Sequence, residues 1–255
     1  MLYSYYVGLD LGQSRDYTAL CVLEEPLFVP SKQLESGGWA WKLGIERSGW
    51  VSPTALSPLQ AEEALAQNYH YGRPPDPPLS VRHLKRFELG TPYPRIIEDV
   101  GHLLSRGPLL KKRVALLIDK TGVGAAVVDH FLEAGLKPIP ITIHGGDTVT
   151  REPHGRRGYR VPKRELVAAA QVLLQNGRLK IAAGLSLAET LKTELLNFRV
   201  KIDPATAYDS YSHWREADHD DLVLATAMAC WFRQYWNRNL DQAFAQNPAV
   251  VGAQR

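Results

Sequence analysis

Three carboxylates stand within four positions in "ADHDDLVLATAMACW": Asp218, Asp220 and Asp221, directly ahead of an apolar run. A helix welcomes acid in its first turn, where free N–H groups carry partial positive charge, but a cap needs only one. Three repel one another and call for a cation. Two further acids close strand-like runs, Asp10 in "VGLDLG" and Asp119 in "ALLIDKTGVG". Carboxylates at the ends of adjacent strands of an α/β sheet emerge on one rim, where such folds put their sites. If the last helix begins beside that rim, acids from three distant segments meet. Oxygen-only clusters select Mg²⁺ or Mn²⁺. Two such ions about 3.5–4 Å apart can activate a water and stabilise the leaving oxygen of a phosphodiester. Taken singly, each acid is equally a turn former or a helix cap; the ordered set is what points to chemistry. "DKTGVG" is no Walker-type phosphate loop, because no Gly-Lys-Ser/Thr occurs in the chain.

A second feature is the run "TREPHGRRGYRVPKREL", with Arg151, Arg156, Arg157, Arg160, Lys163 and Arg164 set against Glu152. Gly155 and Gly158 would let it turn as a hairpin. A positive flap beside an acid–metal site would hold a phosphate backbone, a sequence-independent and salt-sensitive contact. Arg82, Lys85 and Arg86, and "KKR" at 111–113, read as ordinary surface, and His144 and His154 as bystanders. Trp39, Trp41 and Trp50 read as a small local core, with base stacking as the alternative.

The elements that must position these residues follow from periodicity. "SYYVGLDLG" and "YTALCVLEE" are β-rich runs joined by Gln13–Asp16, a hairpin. From 26 to 78 the chain turns Pro- and Gly-rich, with a helical candidate at "SPLQAEEALAQNY"; it reads as an insertion without a core of its own. "LSVRHLKRFELG" reads as a strand, and "TPYPRIIEDVGHLL" as a helix with a Thr cap and an early Pro. "RVALLID" is almost wholly apolar, as a central strand buried on both faces must be. A helix ("GAAVVDHFLEAG"), a strand ("KPIPITI"), a Pro-started helix closed by Gly177, a short strand ("RLKIA") and an amphipathic helix ("LSLAETLKTELLNFRV") follow. The last helix is expected from about Asp218 to Trp236, with a loose tail over 238–255. Short links between the first three strands predict antiparallel pairing, and the later strand–helix–strand crossover predicts parallel pairing. The expected class is α/β: a mixed central sheet, antiparallel first and parallel later, flanked by helices.

With 255 residues, 45% hydrophobic, the chain can bury one sizeable core, here expected as a domain over 1–237. A net charge of +3 permits a nucleic-acid partner without requiring one. Cys21 and Cys230 sit in apolar runs without CxxC spacing, as buried free thiols of a reducing cytoplasm do. No basic-then-apolar leader opens the chain, and the run from Leu222 to Phe232 is too short to span a bilayer.

The motifs "YYVGLDLGQSRDYTALCVLE", "RFELGTPYPRIIEDV", "LLIDKTGVGAAVVDHF", "VPKRELVAAAQVLLQNGRLKIA", "LAETLKTELLNFRVKI" and "HDDLVLATAMACW" together resemble the nuclease domain of phage terminase large subunits. The resemblance runs from about residue 5 to 236, apart from 26–78. It implies an RNase H-like fold related to RuvC-type Holliday-junction resolvases, and endonuclease chemistry on double-stranded DNA with two Mg²⁺ or Mn²⁺ ions. It implies Asp10, Asp119 and Asp221 as the catalytic metal-binding acids, since the family's final acid directly precedes the apolar helix. Asp220 would be a neighbouring helper. Asp218 lies about one helical turn before Asp221, a spacing similar to the paired acids of the resolvases. Implied surroundings are a bacterial host cytoplasm, a phage or prophage origin, and a packaging ATPase, small terminase subunit or portal as partners; no ATPase half precedes these motifs, so the expectation is either a fragment of a longer chain or a stand-alone nuclease. Two other readings compete. "GLDLGQSRDYTA" also resembles the first phosphate loop of actin-like and sugar-kinase-like ATPases, which make no use of acids opening a last helix. A DNA-binding or packaging-scaffold module would not need the full set of carboxylates.

Overall fold

In a computed structural model of the chain, β1 (Tyr3–Asp10) and β2 (Ala19–Pro26) pair antiparallel, Tyr3 opposite Pro26 and Asp10 opposite Ala19. The structure describes residues 3–12, 16–26, 28–33, 39–43, 69–71, 77–110, 112–153, 158–200 and 220–246. The remaining core strands follow the apolar runs. After β3 (Phe28–Gln33), β4 (Trp39–Leu43) and β5 (Tyr69–Tyr71) come β6 (Leu79–Arg86), helix α1 (Tyr93–Leu104), β7 (Arg113–Asp119) and helix α2 (Gly124–Glu133). Then come β8 (Ile139–His144), β9 (Thr150–Arg151), β10 (Tyr159–Pro162), α3 (Lys163–Gln175), β11 (Leu179–Ile181), α4 (Ala188–Val200) and α5 (Asp221–Gln246).

The main sheet has the order β11-β6-β2-β1-β7-β8-β10-β9. β2 is antiparallel to both its neighbours, β1 and β6, whereas β7, β8 and β10 continue from β1 in parallel. This is the mixed sheet the run lengths predict. Strands β3–β5 form a separate three-stranded antiparallel sheet, so the segment expected as a bare excursion carries ordered pairing of its own. The helical candidate around 57–68, the hairpin link at 13–15 and Trp50 lie outside the described residues.

Side chains alternate across the sheet with period two. Tyr5, Val7 and Leu9 of β1, and Leu116 and Ile118 of β7, join Ile96, Val100 and Phe131 beneath α1 and α2. Tyr6 of β1 and Leu117 of β7 face the other way, into a core with Leu166, Leu173, Leu191 and the buried face of α5. Gly8 and Asp10 share the parity of Tyr6, and Asp119 that of Leu117, so both acids belong to the α5 face.

Helix starts and stops depart from expectation in two places. Thr91 does not cap α1; Pro92 occupies the N-cap, and the Thr91 hydroxyl donates instead to the Glu88 carbonyl at 2.6 Å. Helix α5 runs past Trp236 to Gln246. "NRNLDQAFAQ" holds no Gly or Pro before Pro248, and its Leu, Gln and Ala residues are good helix formers. Gly177, with φ +62°, closes α3 as its position predicts. Among the described residues no helix is long and apolar enough to cross a membrane.

Helix α5 packs on β1, β2 and α3. Its Ala225, Ala227 and Ala229 are fully buried, and small side chains let its backbone come close. At Gly8 the approach is tightest: a Cβ there would lie 1.9 Å from the Ala225 carbonyl oxygen. Gly8→Ala should therefore force α5 off β1 and cost roughly 1–3 kcal/mol, the range for overpacked cores. A urea midpoint equal to that of the unsubstituted chain would show that the contact does not constrain the helix.

Candidate metal and acid site

The rim forms a row across the sheet on the α5 face. Arg86 of β6 pairs in register with Ala19 of β2, and Ala19 with Asp10 of β1. Asp119 follows Ile118, which pairs with Leu9, so it sits beside Asp10 one rung past the last pair. Strands in a sheet lie about 4.8 Å apart. Two carboxylates on neighbouring strands, facing the same way, are thus brought together by register alone.

The start of α5 joins them. From Asp221 to Ala225 is about 6 Å of helix, at 1.5 Å per residue. From Asp10 back to Gly8 is about 7 Å of strand, at 3.3–3.4 Å per residue. With Ala225 against Gly8, Asp221 opens the helix next to Asp10. Burial, followed by the Asp119, Asp220 and Asp221 carboxylates, pushes the Asp10 carboxyl well above its ordinary range, and Lys163 opposes the shift. Asp119 and Asp221 are themselves buried.

Each neighbour of Asp10 is held by a specific partner. Asp119 Oδ1 accepts the Thr121 N–H at 2.7 Å, and the Thr121 hydroxyl accepts the Ile143 N–H at 2.7 Å, tying the end of β7 to β8. Lys163 Nζ donates to Asp220 Oδ2 at 3.1 Å. Arg86 Nε donates to Asp221 Oδ2 at 2.7 Å, and its guanidinium also pairs with Glu194 of α4. Glu194 in turn accepts the Leu222 and Val223 N–H groups at 3.1 and 3.2 Å, capping α5 from outside the helix. Arg86 also lies over the Tyr17 ring, 5.0 Å from its centroid.

The predicted residues are therefore distributed unevenly. Asp10, Asp119, Asp220 and Asp221 converge, whereas Asp218 lies outside the described residues. Of the basic run, Lys163 belongs to the acid site. Arg164 pairs with the exposed Asp147 at 2.5 Å, and Arg160 faces solvent. Arg151 lines a separate cleft beside Arg113. Arg156, Arg157, His154 and Gly155 lie outside the described residues. The run does form a hairpin, β9–β10, and Glu152 anchors it. Glu152 accepts from Thr142 at 3.0 Å and pairs with Lys120 at 2.9 Å. The Lys120 bond, ahead of the opposing effect of burial, holds the Glu152 carboxyl below its usual range.

Arg86 and Glu194 were not among the expected site residues, and Arg86 is no ordinary surface cation. Its faint signal is position: it shares the inward parity of Leu84 on β6. Glu194 is an acid at helical spacing from Ala188 and Leu191, both buried, on a face that should be apolar.

The donors around Asp10 fit a hard divalent cation in chemistry. They are oxygen-only, they outnumber the nearby cations, and burial leaves Asp10 short of positive charge. Among the described residues no three His, Cys, Asp or Glu side chains stand in a metal-holding group.

No protein-family model matches the chain, and no curated protein matches it either. Among solved structures it is similar to the large terminase nuclease from thermophilic phage G20c, with 16% identity and a TM-score of 0.46 over 89% of this chain and 81% of that one. It is also similar to the human cytomegalovirus terminase nuclease domain, with 14% identity and a TM-score of 0.45 over 90% of this chain and 84% of that one. The Mn-soaked form of the latter gives 12% identity and a TM-score of 0.43 over 90% of this chain and 83% of that one.

Burial and then Asp221 push the Glu194 carboxyl up to about 7, well above the ordinary glutamate range, although Arg86 opposes them. A carboxyl raised on folding stabilises fully below its unfolded pKa and loses that contribution as pH rises through the folded value. Asp10 shifts in the same direction. With divalent cations chelated, stability should fall by on the order of 1–3 kcal/mol between pH 4.5 and 8. Urea titrations of the chain and of Glu194→Gln check this: the substitution should shallow the slope, and an identical slope would clear Glu194 of the effect.

Proposed function

We propose that the chain is a metal-dependent DNA endonuclease with little sequence preference, in which Asp10, Asp119 and Asp221 hold two Mg²⁺ or Mn²⁺ ions. The observation that carries this reading is the buried crowding of acids from β1, β7 and α5 around Asp10, opposed on the Asp10 carboxyl by Lys163. Divalent cations bound there would offset the mutual repulsion and supply activation of water and charge stabilisation at phosphorus.

The chain's own residues set up that chemistry. Asp10 and Asp119 project from rigid neighbouring strands, so their separation is fixed by the sheet. Arg86 holds Asp221 Oδ2 at the entrance of α5. Asp220, held by Lys163, is the helper acid beside them. Asp218 would extend the same group. A phosphate backbone would be held by Arg160 and Arg164 of the basic run, with Arg156 and Arg157 as further candidates. Double-stranded DNA is the substrate of this reading. A separate packaging ATPase, small terminase subunit or portal would be its partners in a phage-infected cytoplasm.

Asp10→Asn, Asp119→Asn and Asp221→Asn should each abolish plasmid cleavage in Mg²⁺ or Mn²⁺ with the circular dichroism spectrum unchanged. Asp10→Asn should also raise the melting temperature under chelation, because it removes a buried charge. Cleavage retained by two of the three variants would remove the assignment. ATP hydrolysis without any DNA cutting would favour the actin-like alternative, and faster cutting of a four-way junction than of linear duplex would favour a resolvase.

A further inference from the structure

At the end of α5 remote from the acids, a second cleft opens on the same face of the sheet. It has a volume of about 800 Å³ and lies among the starts of β1, β7 and β8 and the base of the β9–β10 hairpin. Ser4 lines it, and from Ser4 to Asp10 is about 20 Å of strand. Small-molecule sites span roughly 300–1,000 Å³.

Its chemistry is two-sided. Lys112, Arg113, Lys137 and Arg151 line it, and no acid does among the described residues. Arg113, Lys137 and Arg151 are exposed and form no ion pair among the described residues. Several other cations around the sheet have acid partners: Arg82 with Glu24, Lys85 with Asp99, Lys120 with Glu152 and Lys163 with Asp220. The opposite wall is apolar and aromatic, with Ile139, Phe232 and the half-buried Tyr159. Tyr159 packs edge-on against Trp231 and Tyr235, at 5.5 and 5.1 Å between centroids, so its ring is held in place. The buried acid behind this wall is already neutralised. Glu25 accepts the Tyr6 hydroxyl at 2.8 Å and the Arg233 Nε–H at 2.6 Å.

We propose that this cleft binds a nucleoside phosphate, with the heterocycle against Tyr159, Ile139 and Phe232 and the phosphates among Lys112, Arg113, Lys137 and Arg151. The exposed guanidinium and ammonium groups of Arg113, Lys137 and Arg151 suit phosphate oxygens, and a rigid aromatic ring suits a planar base. The same chemistry arrives as a free nucleotide or as the 5′-phosphorylated end of a nucleic-acid strand. The site stands independently of the acid rim, and its test needs no catalysis.

Calorimetric titration of the full chain in chelator, with ADP, pyrophosphate and a 5′-phosphorylated single-stranded decanucleotide, distinguishes these sources. ADP or the decanucleotide should bind, and pyrophosphate should bind about tenfold or more weaker for want of a base. Arg113→Ala combined with Lys137→Ala changes two exposed side chains and should weaken binding by about tenfold or more. ADP binding marks a free-nucleotide site, and binding of the decanucleotide alone marks a strand-end site. Asp10→Asn should bind as the unsubstituted chain does. No binding by ADP or the decanucleotide, pyrophosphate binding as tightly as they do, or affinity untouched by the double substitution would overturn the proposal. So would affinity lost in Asp10→Asn.

Discussion

The backbone of α5 rests directly on the backbone of β1, and only the missing side chain of Gly8 allows it. That contact sets both the height of the helix above the sheet and its position along the strand. Measured from it, the helix carries Asp221 to Asp10 at one end. At the other, Arg233 lies about 18 Å beyond Asp221, at 1.5 Å per residue. There it meets Glu25, whose register partner Ser4 lies at the far end of β1. The buried Arg233–Glu25 pair is a second pin. A charge of either sign left alone in that core would be strongly destabilising, so the helix has one register in which both ends are satisfied. Helix α5 is therefore a ruler laid along β1, and the acid rim exists because its zero mark falls at Gly8.

The rim is costly in electrostatic terms, and the surrounding chain offsets that cost unevenly. Arg86 and Lys163 come from β6 and the start of α3, on either side of the acids, and each takes one carboxylate of the α5 entrance. Glu194 supplies the cap that Asp221, occupied by Arg86, does not provide. Asp10 is left in the middle with acid neighbours and with Lys163 as the cation acting against its shift. Ala19, fully buried, stands between Arg86 and Asp10 in the row.

Much of this could be read along the chain. The apolar run "RVALLID" is a two-face-buried central strand, "YYVGLD" and "TALCVLEE" pair antiparallel with each other, and Gly177 ends a helix, because each of these depends on local periodicity or backbone freedom. The convergence of Asp10, Asp119 and Asp221 was legible from their places at element ends. The β3–β5 sheet and the continuation of α5 to Gln246 were less so, since Pro-rich composition and a polar tail mask pairing and helix propensity that context decides.

What the residues determine by themselves is therefore the set of elements and the identity of the acids, because period and type are properties of short segments. What only the folded chain decided is which charges meet. Arg86 and Glu194 are separated by more than a hundred positions and share no motif, yet they hold the same helix entrance. Lys163 left the basic run to pair with Asp220, and Arg151 turned toward a cleft with Lys112, Arg113 and Lys137. Ion pairs act through space over a few ångströms, and sheet register and helix height, which no local pattern encodes, set those distances.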